Sequence, residues 1–121
     1  METGNLRLYL LRILLNKTRY DKFKTQIDES IFQNGARDIY KTIGYIYRDN
    51  PNIETINFSD LKLAYFNTYF PNHSYASQKN IHEIIDKLEL QESPSDDVVE
   101  GAVKSMYRIK KADELARICL D

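Results

Sequence analysis

The sequence predicts an all-α fold: a globular head of about four helices over residues 1–72, followed by an extended antiparallel helical hairpin over residues 73–121. Three observations predict it. Apolar residues recur at spacings of three and four along nearly every segment, the period of one helical face. Helix-start signatures and Asn-Gly or X-Pro breaks punctuate these stripes, and the one stretch of extended character, Asn52 to Asn57, is too short to make a sheet. The terminal stretch, Ser93 to Asp121, reads as a single helix of roughly 40 Å at about 1.5 Å per residue, longer than a core of this size covers.

Each element has its own justification. Leu6, Leu8, Leu10, Leu11, Ile13, Leu14 and Leu15 are apolar around most of a helix, which marks a central, buried element. Thr18-Arg19-Tyr20-Asp21 reads as a capping box for a short second helix presenting Tyr20, Phe23 and Ile27. After the Asn34-Gly35 break, Ala36, Ile39, Tyr40, Ile43, Ile46 and Tyr47 make a third amphipathic helix. It must end near Asn50-Pro51, because the residue before a proline avoids helical geometry. Ile53 and Ile56 lie in an extended connector, and Ser59 is the expected N-cap of a helix carrying Leu61, Ala64, Tyr65 and Phe66 up to Phe70-Pro71.

Two helices complete the chain. Ile81, Ile84, Ile85 and Leu88 form a narrow stripe on the first, and Gln91-Glu92-Ser93 is a short connection of the kind that makes neighbouring helices antiparallel. Ser93-Pro94-Ser95-Asp96 opens the last helix as a cap, a first-turn proline and an acidic partner. Its face, Val99, Ala102, Val103, Met106, Ile109, Ala112, Ala116 and Cys119, meets no Gly or Pro stop, and Asp121 has the wrong sign for a helix C-terminus. The expectation is a chain cut inside a connecting helix.

Composition narrows the class. With 121 residues, 42% hydrophobic, 29% charged and a net charge of −1, the chain suits one globular domain and gives no global reason to bind nucleic acid or membrane. The apolar run Leu6 to Leu15 contains Arg7 and Arg12 and is far shorter than the roughly 20 residues of a membrane span. It also lacks the basic leader and cleavage site of a secretory signal. The single cysteine, Cys119, cannot form an internal disulfide and fits a reducing, cytoplasmic location. Charge is uneven along the chain. Residues 1–24 hold six basic residues against Glu2 and Asp21, whereas residues 80–100 hold seven acidic residues against Lys87. Opposed poles of this kind can associate head to tail, and solvated helix faces are the simpler account.

The chemistry-bearing residues do not converge. His73 in a Pro-Asn-His-Ser loop, His82 on a helix and the distant Cys119 have no zinc or iron spacing, and read as ordinary surface or interface residues. Asp96 and Asp97 are explained by the helix start they occupy. Lys41-Thr42-Ile43-Gly44 has the letters of a phosphate loop in the wrong order and inside a helix. The nine tyrosines, among them Tyr40, Tyr65 and Tyr69, read as half-buried packing residues rather than a base-stacking platform. No catalytic residue, metal or cofactor is expected.

With this pattern laid out, the chain resembles the N-terminal domain of hexameric replicative helicases of the DnaB type, in the version carried by T4-like bacteriophages. The resemblance runs through the opening helix Leu6–Leu15, the segment Phe23 to Ile27 with Asp28-Glu29-Ser30-Ile31-Phe32, and the helix Ala36 to Tyr47. It continues through the Ile53-to-Leu61 connector and cap, the acidic-tipped hairpin, and Val103-Lys104-Ser105-Met106-Tyr107-Arg108-Ile109. It spans nearly the whole chain as a pattern of apolar positions and lengths. It implies a non-catalytic collar domain that assembles with copies of itself on a hexameric ring, surrounds single-stranded DNA and cooperates in engaging primase. Catalysis would belong to an ATPase domain whose phosphate-binding loop this chain does not contain.

Two sets of residues follow as candidates. The hairpin stripe of Ile81, Ile84, Ile85, Leu88, Val99, Val103 and Met106 exceeds what two facing helices need to bury, and is the expected oligomer or partner interface. Lys17, Arg19, Lys22 and Lys24, interleaved with Tyr20 and Phe23, are the candidate contacts to single-stranded DNA, expected to be weak and salt-sensitive. The competing readings are a free-standing helical adaptor or phage regulator and a small nucleic-acid-binding module.

Overall fold

The computed structural model describes the backbone of residues 3–91 and 95–120, and the side chains of 7–91, 95, 97–108 and 111. Among these residues the chain is all-helical: α1 (Thr3–Ile13), α2 (Lys17–Phe23), a 3-10 turn (Glu29–Ile31), α3 (Gly35–Asp49), α4 (Phe58–Leu63), α5 (Tyr75–Leu90) and α6 (Asp96–Leu120). No strand forms among them. The expected extended connector contributes one isolated antiparallel bridge, between Asn16 and Thr55.

That bridge decides where α1 stops and α2 starts. The Lys17 amide donates to the Glu54 carbonyl at 2.9 Å and the Ile56 amide to the Leu15 carbonyl at 2.8 Å, so Asn16 between them is held extended. Asn16, in β geometry, then caps α2 by accepting from the Arg19 amide. The expected cap at Thr18 is therefore displaced by two residues, because a non-local pairing fixes the turn. The cap of α4 moves likewise: Asn57, not Ser59, accepts from the Asp60 amide at 2.7 Å. Ser93 lies outside the described residues.

The core is built on α1. Leu10, Leu11, Ile13, Leu14 and Leu15 are buried together with Phe23, Ile27, Phe32, Ile39, Ile43, Ile46, Tyr47, Ile56, Leu61 and Tyr65. The α3 stripe falls where its spacing placed it. Asn34, at φ 54°, makes the sharp entry into α3, a conformation in which asparagine is less strained than most residues. Gly35 then lets α3 approach α5 closely, since a Cβ there would stand 2.7 Å from Asn80 Nδ2 and 2.8 Å from Ile84 Cδ1.

α4 does not end as an ordinary helix. Residues Ala64–Tyr69 continue it with π geometry, and the Phe70 amide donates back to the Tyr65 carbonyl. The π turn places the Tyr65 ring against both Phe66 and Phe70, with centroids 5.0 and 4.9 Å away. Pro71 follows and prevents further helix.

The helices expected to form the hairpin pack on those expected to form the head, within one domain as expected. α5 packs on α3, α1 and α4, and α6 packs on α1. One continuous buried cluster takes Ile81, Ile85, Leu88, Val99 and Val103 along with the residues of α1 to α4.

Candidate functional site

The seven residues expected to form an oligomer interface divide in the structure. Ile81, Ile85, Leu88, Val99 and Val103 are at most 3% exposed, and Ile84 and Met106 are partly buried against the same core. The stripe is an intramolecular seam and not a free surface. The stripe is wider than two helices facing each other need because α5 faces α3, α1 and α4 while α6 faces α1. Exposed apolar side chains lie elsewhere, at Leu63 on α4, Tyr75 and Leu90 at the two ends of α5, and Val98 and Tyr107 on α6.

The expected DNA contacts are also engaged within the chain. Lys17 Nζ donates to the Pro51 carbonyl at 2.8 Å, Lys24 pairs with Asp21 at 3.6 Å and Lys22 with Glu100 at 3.5 Å. Arg19 has a partner as well. The four residues therefore do not form a strip of uncommitted cations. The Lys22–Glu100 pair also joins the two opposed charge poles inside one molecule, tying α2 to α6. Both ends are substantially exposed, which makes the pair a modest contributor to stability. Lys22 and Lys104 hold the Glu100 carboxyl below its ordinary range, the hydrogen bond from Lys104 being the larger cause.

A cleft of about 450 Å³ opens where the α1–α2 turn meets the connector, lined by Arg12, Ile13, Leu15, Asn16, Thr18, Arg19 and Thr55. Arg12 is fixed over the Phe58 ring at 5.0 Å, with its Nε 3.5 Å from the Gln91 carbonyl. Among the described residues the lining carries two guanidinium groups and two threonine hydroxyls. Such a cleft can hold an anionic group by charge and hydrogen bonding.

His73 departs from the surface reading, whereas His82 keeps to it. His73 is half-buried and its Nδ1 lies 2.6 Å from the hydroxyl of Tyr65, which is fully buried. His82 is exposed and stacks on Phe66, with centroids 4.2 Å apart and planes 19° from parallel. Burial pushes the Tyr65 phenol up to about 12. Tyr40 and Tyr69 are half-buried as expected, whereas Tyr65 is entirely inside. This cluster was missed because the π turn that assembles it follows from no local spacing; the aromatic run before Phe70-Pro71 was its only sequence trace.

A second carboxylate is held at the end of α3. Asp49 receives Arg48 Nε at 2.9 Å and the Tyr69 hydroxyl at 2.6 Å, which hold its carboxyl at about 2. The Lys41-Thr42-Ile43-Gly44 letters lie inside α3, where the buried Thr42 hydroxyl donates to the Asp38 carbonyl at 2.8 Å. Among the described residues no three His, Cys, Asp or Glu side chains are grouped as metal ligands would be. No helix among them is long and apolar enough to cross a membrane. Comparison with protein-family models, with curated proteins and with solved structures returns no match.

Proposed function

We propose that this chain is a non-catalytic assembly and partner-binding domain, the N-terminal collar of a phage replicative helicase of the DnaB type, with primase among its partners. The observation that carries the reading is α6. It runs 25 residues, Asp96–Leu120, roughly 37 Å at about 1.5 Å per residue. Val99, Val103 and Met106 seat it on the core. A helix of this length exceeds what a core of this size covers and leaves surface for a partner. The ordered resemblance along the chain supports the same reading.

Self-association in this proposal uses outward side chains, not the buried seam. Tyr107, 41% exposed on α6, is the test position, since exposed tyrosines are favoured at interfaces. Sedimentation of the chain across a concentration series should show oligomers that Tyr107→Glu weakens without loss of helicity. Primase from the same genome should co-sediment with the chain. The reading frame after Asp121 should lead into a phosphate-binding loop that follows a strand. A chain that stays monomeric, ignores primase and precedes a stop codon is a free-standing adaptor instead. The nucleic-acid-binding alternative is disfavoured by the internal pairing of Lys17, Lys22 and Lys24.

A further inference from the structure

The cleft at the α1–α2 turn gathers hydrogen-bond donors from three separate elements. Arg12 reaches it from the last turn of α1, Asn16, Thr18 and Arg19 from the turn and from α2, and Thr55 from the connector. The bridge that shapes the turn also sets two of these side chains. Asn16 and Thr55 are its paired residues, and the two backbone bonds flank them, from Lys17 to Glu54 and from Ile56 to Leu15. In an antiparallel pair of that kind the facing side chains stand close together on one side of the backbone. Asn16 caps α2 through Oδ1, which leaves its amide hydrogens as donors.

Arg12 supplies the observation that asks for a ligand. It is half-buried, its Nε lies 3.5 Å from the Gln91 carbonyl, and its guanidinium sits over the Phe58 ring. Both partners are uncharged. Among the described residues, none of those that line the cleft is acidic. A cation taken partly out of water is stabilised by an opposite charge beside it. The ring and the carbonyl also hold the guanidinium in place, so an entering anion meets a preset fork. Arg19 is engaged within the chain as well, which makes Arg12 the anchor.

We propose that this cleft binds a phosphate group, held by the Arg12 guanidinium with the hydroxyls of Thr18 and Thr55 and the amide of Asn16 around it. Phosphate fits the donor set better than a carboxylate does. The donors come from α1, the turn, α2 and the connector, and a tetrahedral oxyanion offers an acceptor to each, whereas a carboxylate presents two oxygens in one plane. Ile13 and Leu15, both buried, complete the lining. Apolar neighbours of this kind leave a charge-assisted bond less screened by water. The site stands independently of the helicase reading.

Amide NMR of the whole chain, titrated with inorganic phosphate at an ionic strength held fixed with chloride, tests the assignment. The amides of Asn16, Thr18, Arg19 and Thr55 should shift and saturate. Arg12→Lys keeps the charge and loses the fork, and should weaken binding about tenfold, the scale of one charge-assisted hydrogen bond. Thr55→Val, at an exposed residue, should weaken it about threefold, the scale of one neutral bond. Lys79→Gln, on α5 and outside the lining, should leave it unchanged. Shifts that fail to saturate, shifts that chloride reproduces, or parental affinity in both Arg12→Lys and Thr55→Val overturn the proposal. Should Arg12→Lys fail to fold, Thr55→Val decides. Repeating the titration with adenosine monophosphate and with a short thymidine oligonucleotide tells the sources of the phosphate apart. Tighter binding of the monophosphate marks a free phosphomonoester and tighter binding of the strand a phosphodiester backbone, and the tighter of the two must lose affinity in Thr55→Val.

Discussion

The buried hydroxyl of Tyr47 on α3 donates to the carbonyl of Leu14, just past the end of α1, at 2.8 Å. The last carbonyls of a helix have no partner inside it, so a side chain from another element completes this one. The contact locks the register of α3 against α1, and burial raises the Tyr47 phenol well above its ordinary value. Tyr47→Phe keeps the ring and removes the donor. It should lower unfolding free energy by about 1–3 kcal/mol, measured by urea denaturation, since a buried carbonyl loses its partner. A change within error would mean that water replaces the hydroxyl.

Gly35 should tolerate no added methyl. Alanine in a helix ordinarily gains up to about 1 kcal/mol over glycine. Here the new Cβ would press on Asn80 and Ile84 at under 3 Å, and overpacking of this kind costs about 1–3 kcal/mol. Gly35→Ala is therefore expected to lower the thermal midpoint, and a raised midpoint would show that the α5 side chains move aside freely.

The displaced cap of α4 gives a paired measurement. Asn57→Ala should cost about 1 kcal/mol, because Asn57 Oδ1 takes the Asp60 amide. Ser59→Ala, on an exposed residue inside the helix, should fall within about 0.5 kcal/mol of the parent. Reversed magnitudes in chemical denaturation would return the cap to Ser59.

Asp49 gives a pH dependence with a defined sign. Its carboxyl is held at about 2 against an ordinary 3.8, chiefly by the Arg48 hydrogen bond and then by Tyr69. A depressed folded value means stabilisation that is complete above the unfolded value and is lost as pH falls from the ordinary value toward the folded one. The midpoint difference between the parent and Asp49→Asn should thus be constant near neutral pH and shrink on acidification through that window. A difference that grows on acidification contradicts the assignment.

Ile84→Lys separates a seam from an interface. A lysine at this partly buried position removes apolar packing beside Gly35 and Ile81. The outcome expected is a less stable chain with unchanged association. Ile85→Ala, at a fully buried site, should cost about 2–5 kcal/mol by the same denaturation measurement. Ile84→Lys that stays as stable as the parent but sediments as a smaller species would restore the stripe to an intermolecular role.

By itself the sequence determined the all-α class, the helices and much of the core, since these follow from local periodicity and punctuation. Leu10 to Leu15, Ile39, Ile43, Ile46, Ile81, Ile85 and Leu88 lie inside, as their spacing required, and α3 stops at Asp49 before Asn50-Pro51. What tertiary structure decided was the partner of each face. A stripe states that a surface is buried but not what buries it, so Ile81, Val99 and Val103 read equally as hairpin interface and as seam until α1 and α3 were seen beneath them. Likewise Asn16 and Asn57 displaced Thr18 and Ser59 as caps, Asn16 because a bridge between residues far apart in sequence fixed its turn. The lysines of α2 read as available for DNA because Glu100 and the Pro51 carbonyl, their partners, lie far along the chain. The Tyr65–His73 bond arose from a π turn that no spacing encodes. Local rules fix what a segment prefers, and long-range packing chooses among the surfaces that preference leaves open.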